Sequence, residues 1–148
     1  MKEILVKTLK NAEGLYPLKK ATENSAGFDL VAAIDKRIII APSQSALIPS
    51  GFSLEMPEDL EAQVRPRSGL ALKNLITVLN SPGTIDSDYR GEICVILINH
   101  SKEIFTVERG MRIAQIIFMQ LPKIKIKDVD SINSTKRGVG GFGSTGIK

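Results

Sequence analysis

The sequence predicts an all-β domain, a sandwich or Greek-key barrel of short strands, and three observations carry that expectation. Prolines at 17, 42, 49, 57, 66, 82 and 122 leave no uninterrupted amphipathic stretch of ordinary helix length. Between them lie short runs rich in β-branched residues, at 37–40, 45–48 and 52–55. Residues 60–65 alternate cleanly, placing Leu60, Ala62 and Val64 on one face and Glu61, Gln63 and Arg65 on the other. Many short strands at such spacing are the pattern of a sandwich or barrel.

Taken in order, residues 3–10 read as a first strand, ended by the Asn11-Ala-Glu-Gly14 turn. After the alternating strand, residues 68–73 follow Pro66 as the single short helix candidate. The apolar runs 75–79 and 93–98 read as buried strands holding a polar hairpin, residues 80–92, between them. Residues 113–121 are long enough for either state, but β-branched enrichment and Pro122 favour a buried strand. A core therefore spans 1–122. Lysine and isoleucine then alternate over 123–127 as on an edge strand, and a polar linker runs to 136. The remainder, 137–148, is a flexible glycine-rich C-terminal arm, with five glycines in residues 137–146. Such a segment is either a loose end or an arm that orders on a ligand.

At 148 residues the chain suits one domain, and 43% hydrophobic and 24% charged residues are ordinary soluble values. No apolar run is long enough for a membrane span, and the apolar segment at the N-terminus is too short for a secretory signal. Cys94 is the one cysteine, which excludes an intrachain disulfide and fits a reducing, cytoplasmic setting. Residues 1–122 are balanced in charge, so the whole net +4 lies in the tail. A basic tail suits a polyanionic partner, or simply solubility.

The candidate chemistry centres on residues 80–92. Pro82-Gly83 marks a turn, Gly91 a second place for backbone freedom, and Asp86, Asp88, Tyr89 and Arg90 crowd between them. Polar residues on a rigid β scaffold are where binding is placed, although turns are polar in any case. In the arm, Gly138-x-Gly140-x-x-Gly143 matches a dinucleotide fingerprint as a string, and 138–145 resembles a phosphate loop without its lysine. Neither has room for the helix that must follow. What remains is small residues with approachable amides, Ser144 and Thr145 as hydroxyls, Arg137 as a charge and Phe142 as a stacking ring. Arg67 and Ser68, before the helix candidate, make an anion site or a basic turn. Gln115, flanked by apolar residues, must find hydrogen-bond partners. His100 stands alone, so zinc and histidine-triad chemistry have little support. No carboxylate cluster suggests a protein-built metal cage, but Mg²⁺ needs few protein ligands when phosphates and waters supply the rest.

Five ordered motifs join these segments: Ala26-Gly-Phe-Asp-Leu30, Pro66-Arg-Ser-Gly-Leu-Ala71, the stretch from Asn80 to Ile93, Arg109-Gly-Met-Arg-Ile-Ala-Gln115, and the arm from Arg137 to Gly146. Together they resemble the trimeric dUTP pyrophosphatase (dUTPase) family over nearly the whole chain. The resemblance implies a jelly-roll-like subunit, a homotrimer, and hydrolysis of dUTP to dUMP and pyrophosphate with Mg²⁺ held mainly by phosphates and waters. Such an activity keeps uracil out of DNA and supplies dUMP for dTMP synthesis. By the same resemblance Asp86 orients and activates the attacking water. Asn80 hydrogen-bonds uracil, the backbone of Gly83, Thr84 and Ile85 reads the base edge, and Tyr89 packs under the deoxyribose. Arg67, Ser68, Gly69 and Gln115 of a neighbouring subunit hold the phosphates. The arm of a third closes the site, with Arg137, Gly143, Ser144 and Thr145 on the triphosphate side and Phe142 over uracil. Asp29, Asp88 and Arg112 are supporting positions, and Cys94 is an additional candidate at the sugar pocket. Val139, Met111 and Cys94 depart from the family pattern. The rivals are a dCTP deaminase, which shares the fold, and a nucleic-acid-binding β-barrel. The latter needs stacking aromatics interleaved with basic residues, which the chain lacks, so no nucleic-acid partner is expected.

Overall fold

The computed structural model describes residues 2–16 and 18–141. Among them are eleven strands and one α-helix, every ladder antiparallel. Strands β1 (Leu5–Thr8) and β5 (Phe52–Glu55) form one pair, and β3 (Ile38–Ile40) and β10 (Phe105–Val107) another. The larger sheets are β2-β11-β6-β8 and β4-β9-β7. The first comprises β2 (Phe28–Val31), β11 (Arg112–Gln120), β6 (Leu60–Arg65) and β8 (Gly83–Ile85). The second comprises β4 (Ser45–Pro49), β9 (Cys94–Asn99) and β7 (Ile76–Val78). This is the expected all-β, jelly-roll-like subunit.

Its core follows from period-2 alternation. Leu60, Ala62 and Val64 of β6, Val95 and Leu97 of β9, and Ile113, Ala114 and Ile116 of β11 belong to one buried cluster with Leu30, Ile48 and Phe52. Each fully buried Leu, Ile or Phe contributes about 1.5–3 kcal/mol by leaving water. The helix α1 (Ser68–Asn74) forms where predicted. It ends at Leu75, which takes a left-handed φ of 55° and donates its N–H to Ala71 O at 3.2 Å.

Three expectations need correction. The first strand is shorter than residues 3–10, because Lys10–Ala12 winds into a 3₁₀ turn. Residues 80–92 are more than the simple hairpin turn expected, although the runs on either side do pair, as β7 and β9. The chain leaves β7, crosses to the other sheet to lay β8 against β6, and then returns as β9 beside β7. Finally, residues 123–127 form no ladder among the described residues, with Ile124 79% and Ile126 90% exposed. Alternation prepares a strand, but a strand forms only where a partner edge is brought alongside, which local alternation does not specify. No helix among the described residues is long and apolar enough to cross a membrane.

Candidate active site

The crossing to the second sheet is made possible by Gly83. It sits opposite Val64 in the β6–β8 ladder, and a Cβ built there would lie 3.3 Å from both the Val64 Cβ and the Asn80 Nδ2. Glycine lets the loop lie close on β6 and brings Asn80 beside it. Thr84 and Ile85 pair with Gln63 and Ala62, and this short ladder aims Asp86 outward at its end. The Tyr89 N–H donates to Asp86 O at 3.1 Å, closing a turn. The Tyr89 hydroxyl then donates to Glu92 O at 3.1 Å, and Arg90 Nη1 caps Ser87 O at 2.6 Å. Gly91 has no left-handed φ. It is glycine because the phenol lies over it: an added Cβ would fall 2.3 Å from the Tyr89 oxygen.

These bonds shape a pocket of about 310 Å³. Asn80, Thr84, Asp86 and Tyr89 give it a polar and aromatic rim, and Ile85, Cys94, Leu47 and Ile96 an apolar floor. Thus Asn80, Thr84, Ile85, Asp86, Tyr89 and Cys94, six of the residues expected from the sequence, surround one concavity. Leu47 and Ile96 were not foreseen. They face each other across β4 and β9, and Ile96 shares the strand face of Cys94, so period-2 reading was the available signal. Glu92 also lines the pocket. Burial first, and the Glu92 charge second, push the Cys94 thiol above its ordinary value. Cys94 is therefore a small uncharged wall residue here. Asp88 is exposed on the same turn and does not line the pocket.

The second and fourth motifs assemble elsewhere in the chain. Asp29 receives Arg112 Nη1 at 3.2 Å, with Arg67 Nε at 3.6 Å, and Arg67 Nη1 donates to Arg112 O at 2.7 Å. One largely covered carboxylate therefore holds two guanidinium groups together. Gln115 donates Nε2 to Pro66 O at 3.0 Å, fixing the turn before the exposed Ser68 and Gly69. This is the partner that its burial requires. None of Arg67, Ser68, Gly69 or Gln115 lines the pocket below Tyr89.

Arg109, at the head of the fourth motif, has a task the sequence did not disclose. Its guanidinium donates to Asn11 O at 2.8 Å, Glu13 O at 2.7 Å and Ile34 O at 3.3 Å, clamping the 3₁₀ turn. At the start of the arm Arg137 Nε donates to Gly140 O at 2.8 Å, curling the chain on itself. Phe142, Gly143, Ser144 and Thr145 lie outside the described residues.

This arrangement has close counterparts among known proteins. A dUTPase of Staphylococcus bacteriophage 80alpha, solved with dUpNHpp, superimposes with a TM-score of 0.86 at 22% identity, covering 99% of this chain and 100% of that one. A dUTPase of phage phi11 of S. aureus, in which coordination of a structural Mg(II) ion is described, gives a TM-score of 0.78 at 18% identity, covering 89% and 99%. Those likenesses show the fold. Sequence relatives are nearer. The deoxyuridine 5'-triphosphate nucleotidohydrolase of Rickettsia felis is 53% identical over 98% of this chain and 97% of its own. That of Rickettsia canadensis is 56% identical over 96% and 95%, and that of Rhizobium rhizogenes 52% over 94% and 90%. A dUTPase family model matches residues 16–146, a span that takes in every motif built above. The chain belongs to the dUTPase family.

Proposed function

We propose that the chain hydrolyses dUTP to dUMP and pyrophosphate at a site shared between the copies of a homotrimer. The observation that carries this reading is the pocket in which Asn80, Thr84, Ile85, Asp86 and Tyr89 converge, at the positions that the family resemblance assigns to base, sugar and water. An apolar floor with a polar rim suits a flat ring and its sugar. Asn80 and the β8 backbone read the uracil edge, and Tyr89 packs under the deoxyribose. Asp86 stands exposed at the rim, free to take the proton of a water directed at the α-phosphorus. Pyrophosphate is the leaving group, and the α-phosphoryl stays on the nucleoside as dUMP.

Phosphoryl transfer needs charge neutralisation and positioning more than covalent help. The Arg67–Asp29–Arg112 cluster and the turn fixed by Gln115 provide such a surface, and they are absent from the pocket wall of their own chain. Supply of Arg67, Ser68, Gly69 and Gln115 by a neighbouring copy reconciles those two facts. The arm of a third copy, with Arg137, Phe142, Gly143, Ser144 and Thr145, closes the site and excludes water. Residues 123–127, in no ladder among the described residues, fit a linker reaching another subunit.

Among the described residues no group of three or more His, Cys, Asp or Glu side chains gathers to hold a metal. Exposed Asp88, beside the rim, is a hard oxygen donor and fits an ion held mainly by substrate phosphates and waters. Mg²⁺, when bound on the triphosphate, would neutralise its charge. A reducing, cytoplasmic setting fits the single cysteine.

The deciding measurement is pyrophosphate release from dUTP, dCTP, dTTP and UTP. Release from dUTP alone is expected. Ammonia from dCTP without pyrophosphate from dUTP would replace this reading with a deaminase. The tail's basic excess serves a triphosphate, so oligonucleotides are expected not to bind at physiological salt.

A further inference from the structure

Glu92 has two attachments that point in different directions. Its side-chain Oε1 accepts from Asn11 Nδ2 and from the Gly51 backbone N–H, both at 2.8 Å. Its main-chain oxygen accepts the Tyr89 hydroxyl at 3.1 Å. Both donors to the carboxylate are fixed from elsewhere. Asn11 Nδ2 also donates to Ala33 O at 3.2 Å, and Asn11 O is clamped by Arg109 at 2.8 Å. Gly51 is wedged at a φ of +78° against Ala12 and Ala33. The 3₁₀ turn thus reaches, through one carboxylate oxygen, the residue that holds the aromatic side chain of the pocket. Tyr89 is 44% exposed, so packing alone does not fix its ring. Its remaining restraints are local: the N–H to Asp86 O, the Arg90 guanidinium on the Tyr89 main-chain oxygen at 3.1 Å, and the phenol's seat over Gly91.

We infer that Asn11 and Glu92 are positioning residues for Tyr89, and that they set how strictly the pocket distinguishes a deoxyribose from a ribose. The inference rests on the reading of Tyr89 as the ring under the sugar. A ring held at its hydroxyl end cannot tilt away, so a 2'-hydroxyl meets a wall. Freed at that end, the ring yields and admits it. The acceptor geometry, not the charge, is what the carboxylate supplies. An amide oxygen at the same place accepts the same two N–H groups.

The test compares steady-state kinetics on dUTP and UTP for the unaltered chain and for Asn11→Ala, Glu92→Ala and Glu92→Gln, with thermal melting of each. Loss of the hydrogen bonds to the Glu92 carboxylate, that from Asn11 in Asn11→Ala and those from both Asn11 and Gly51 in Glu92→Ala, is expected to lower the dUTP-over-UTP ratio of kcat/KM by about tenfold. In Asn11→Ala the change appears in KM, because Asn11 touches nothing that reacts. Glu92→Gln keeps the ratio of the unaltered chain. A purely structural role predicts lower melting temperatures with an unchanged ratio, and that result in the folded variants overturns the proposal. Should Glu92→Ala not fold, Asn11→Ala, which leaves Gly51 bonded to Glu92, decides alone. Absence of dUTP turnover in the unaltered chain would overturn the substrate reading and this inference with it. An unchanged ratio in an active enzyme overturns this inference only.

Discussion

Asp86 stands exposed on the pocket rim with its main-chain oxygen engaged by the Tyr89 N–H, so its carboxylate can be altered without disturbing the turn. Asp86→Asn is isosteric and removes only basicity. It is expected to lower kcat on dUTP by about 10²–10⁴-fold while KM moves little, read by steady-state kinetics with product quantified. Substantial residual turnover would remove Asp86 from the role of base. Cys94 offers a second test at this scale. A raised thiol pKa means less thiolate at a given pH, so alkylation at pH 8 should be slower than for a free cysteine, with its midpoint displaced upward. Burial is the larger cause and stays in place, so Glu92→Gln should move the midpoint only part of the way back. The crowding of Asp86 and Tyr89 in a turn between apolar runs was legible in the sequence, while their roles and that of Asn80 came from the family resemblance alone. Glu92 and Asn11 were not legible. Their partnership spans 81 residues, and a local pattern carries no record of what the fold brings from so far away.

Strands were legible wherever one face is buried and the other wet. Strand β6 matches its expected alternation residue for residue, and α1 follows Pro66 as predicted. Strand β8 escaped notice because three residues give too short a pattern, and its pairing with β6 in the other sheet is a tertiary fact. The end of β9 shows how such crossings are secured. Asn99, fully buried, donates Nδ2 to Ile40 O at 2.9 Å and Glu103 O at 2.8 Å, and accepts the Ser101 N–H at 2.8 Å. Asn99→Ala strands all three partners at the β9–β10 connection. A loss of about 2–4 kcal/mol is expected, measured by urea unfolding with an unchanged m-value. A loss below about 0.5 kcal/mol would mean that water replaces the amide.

At the scale of the molecule, the sequence did not disclose where the tail goes. Alternating Lys and Ile at 123–127 read as strand because the pattern is right, yet among the described residues no neighbouring strand pairs with it. Ending the chain after Lys136 removes the arm and leaves every described strand intact. The truncated protein is expected to melt within a few degrees of the full chain and to keep its oligomeric state by sedimentation. Turnover of dUTP should be nearly lost. Unfolding on truncation would instead make the arm part of the scaffold.

The separation of the Tyr89 pocket from the Arg67–Asp29–Arg112 cluster has a consequence in mixed populations. One variant carrying only Asp86→Asn and another carrying only Arg67→Ala should each be nearly inert. On the proposed shared-site trimer, co-refolding in equal amounts should assemble some sites that take Asp86 from one chain and Arg67 from its neighbour. Random assortment around a threefold ring leaves about a quarter of the sites whole. Mixing two dead preparations should therefore revive close to that share of the parent's activity, whereas a site built within one chain would stay dead at every ratio.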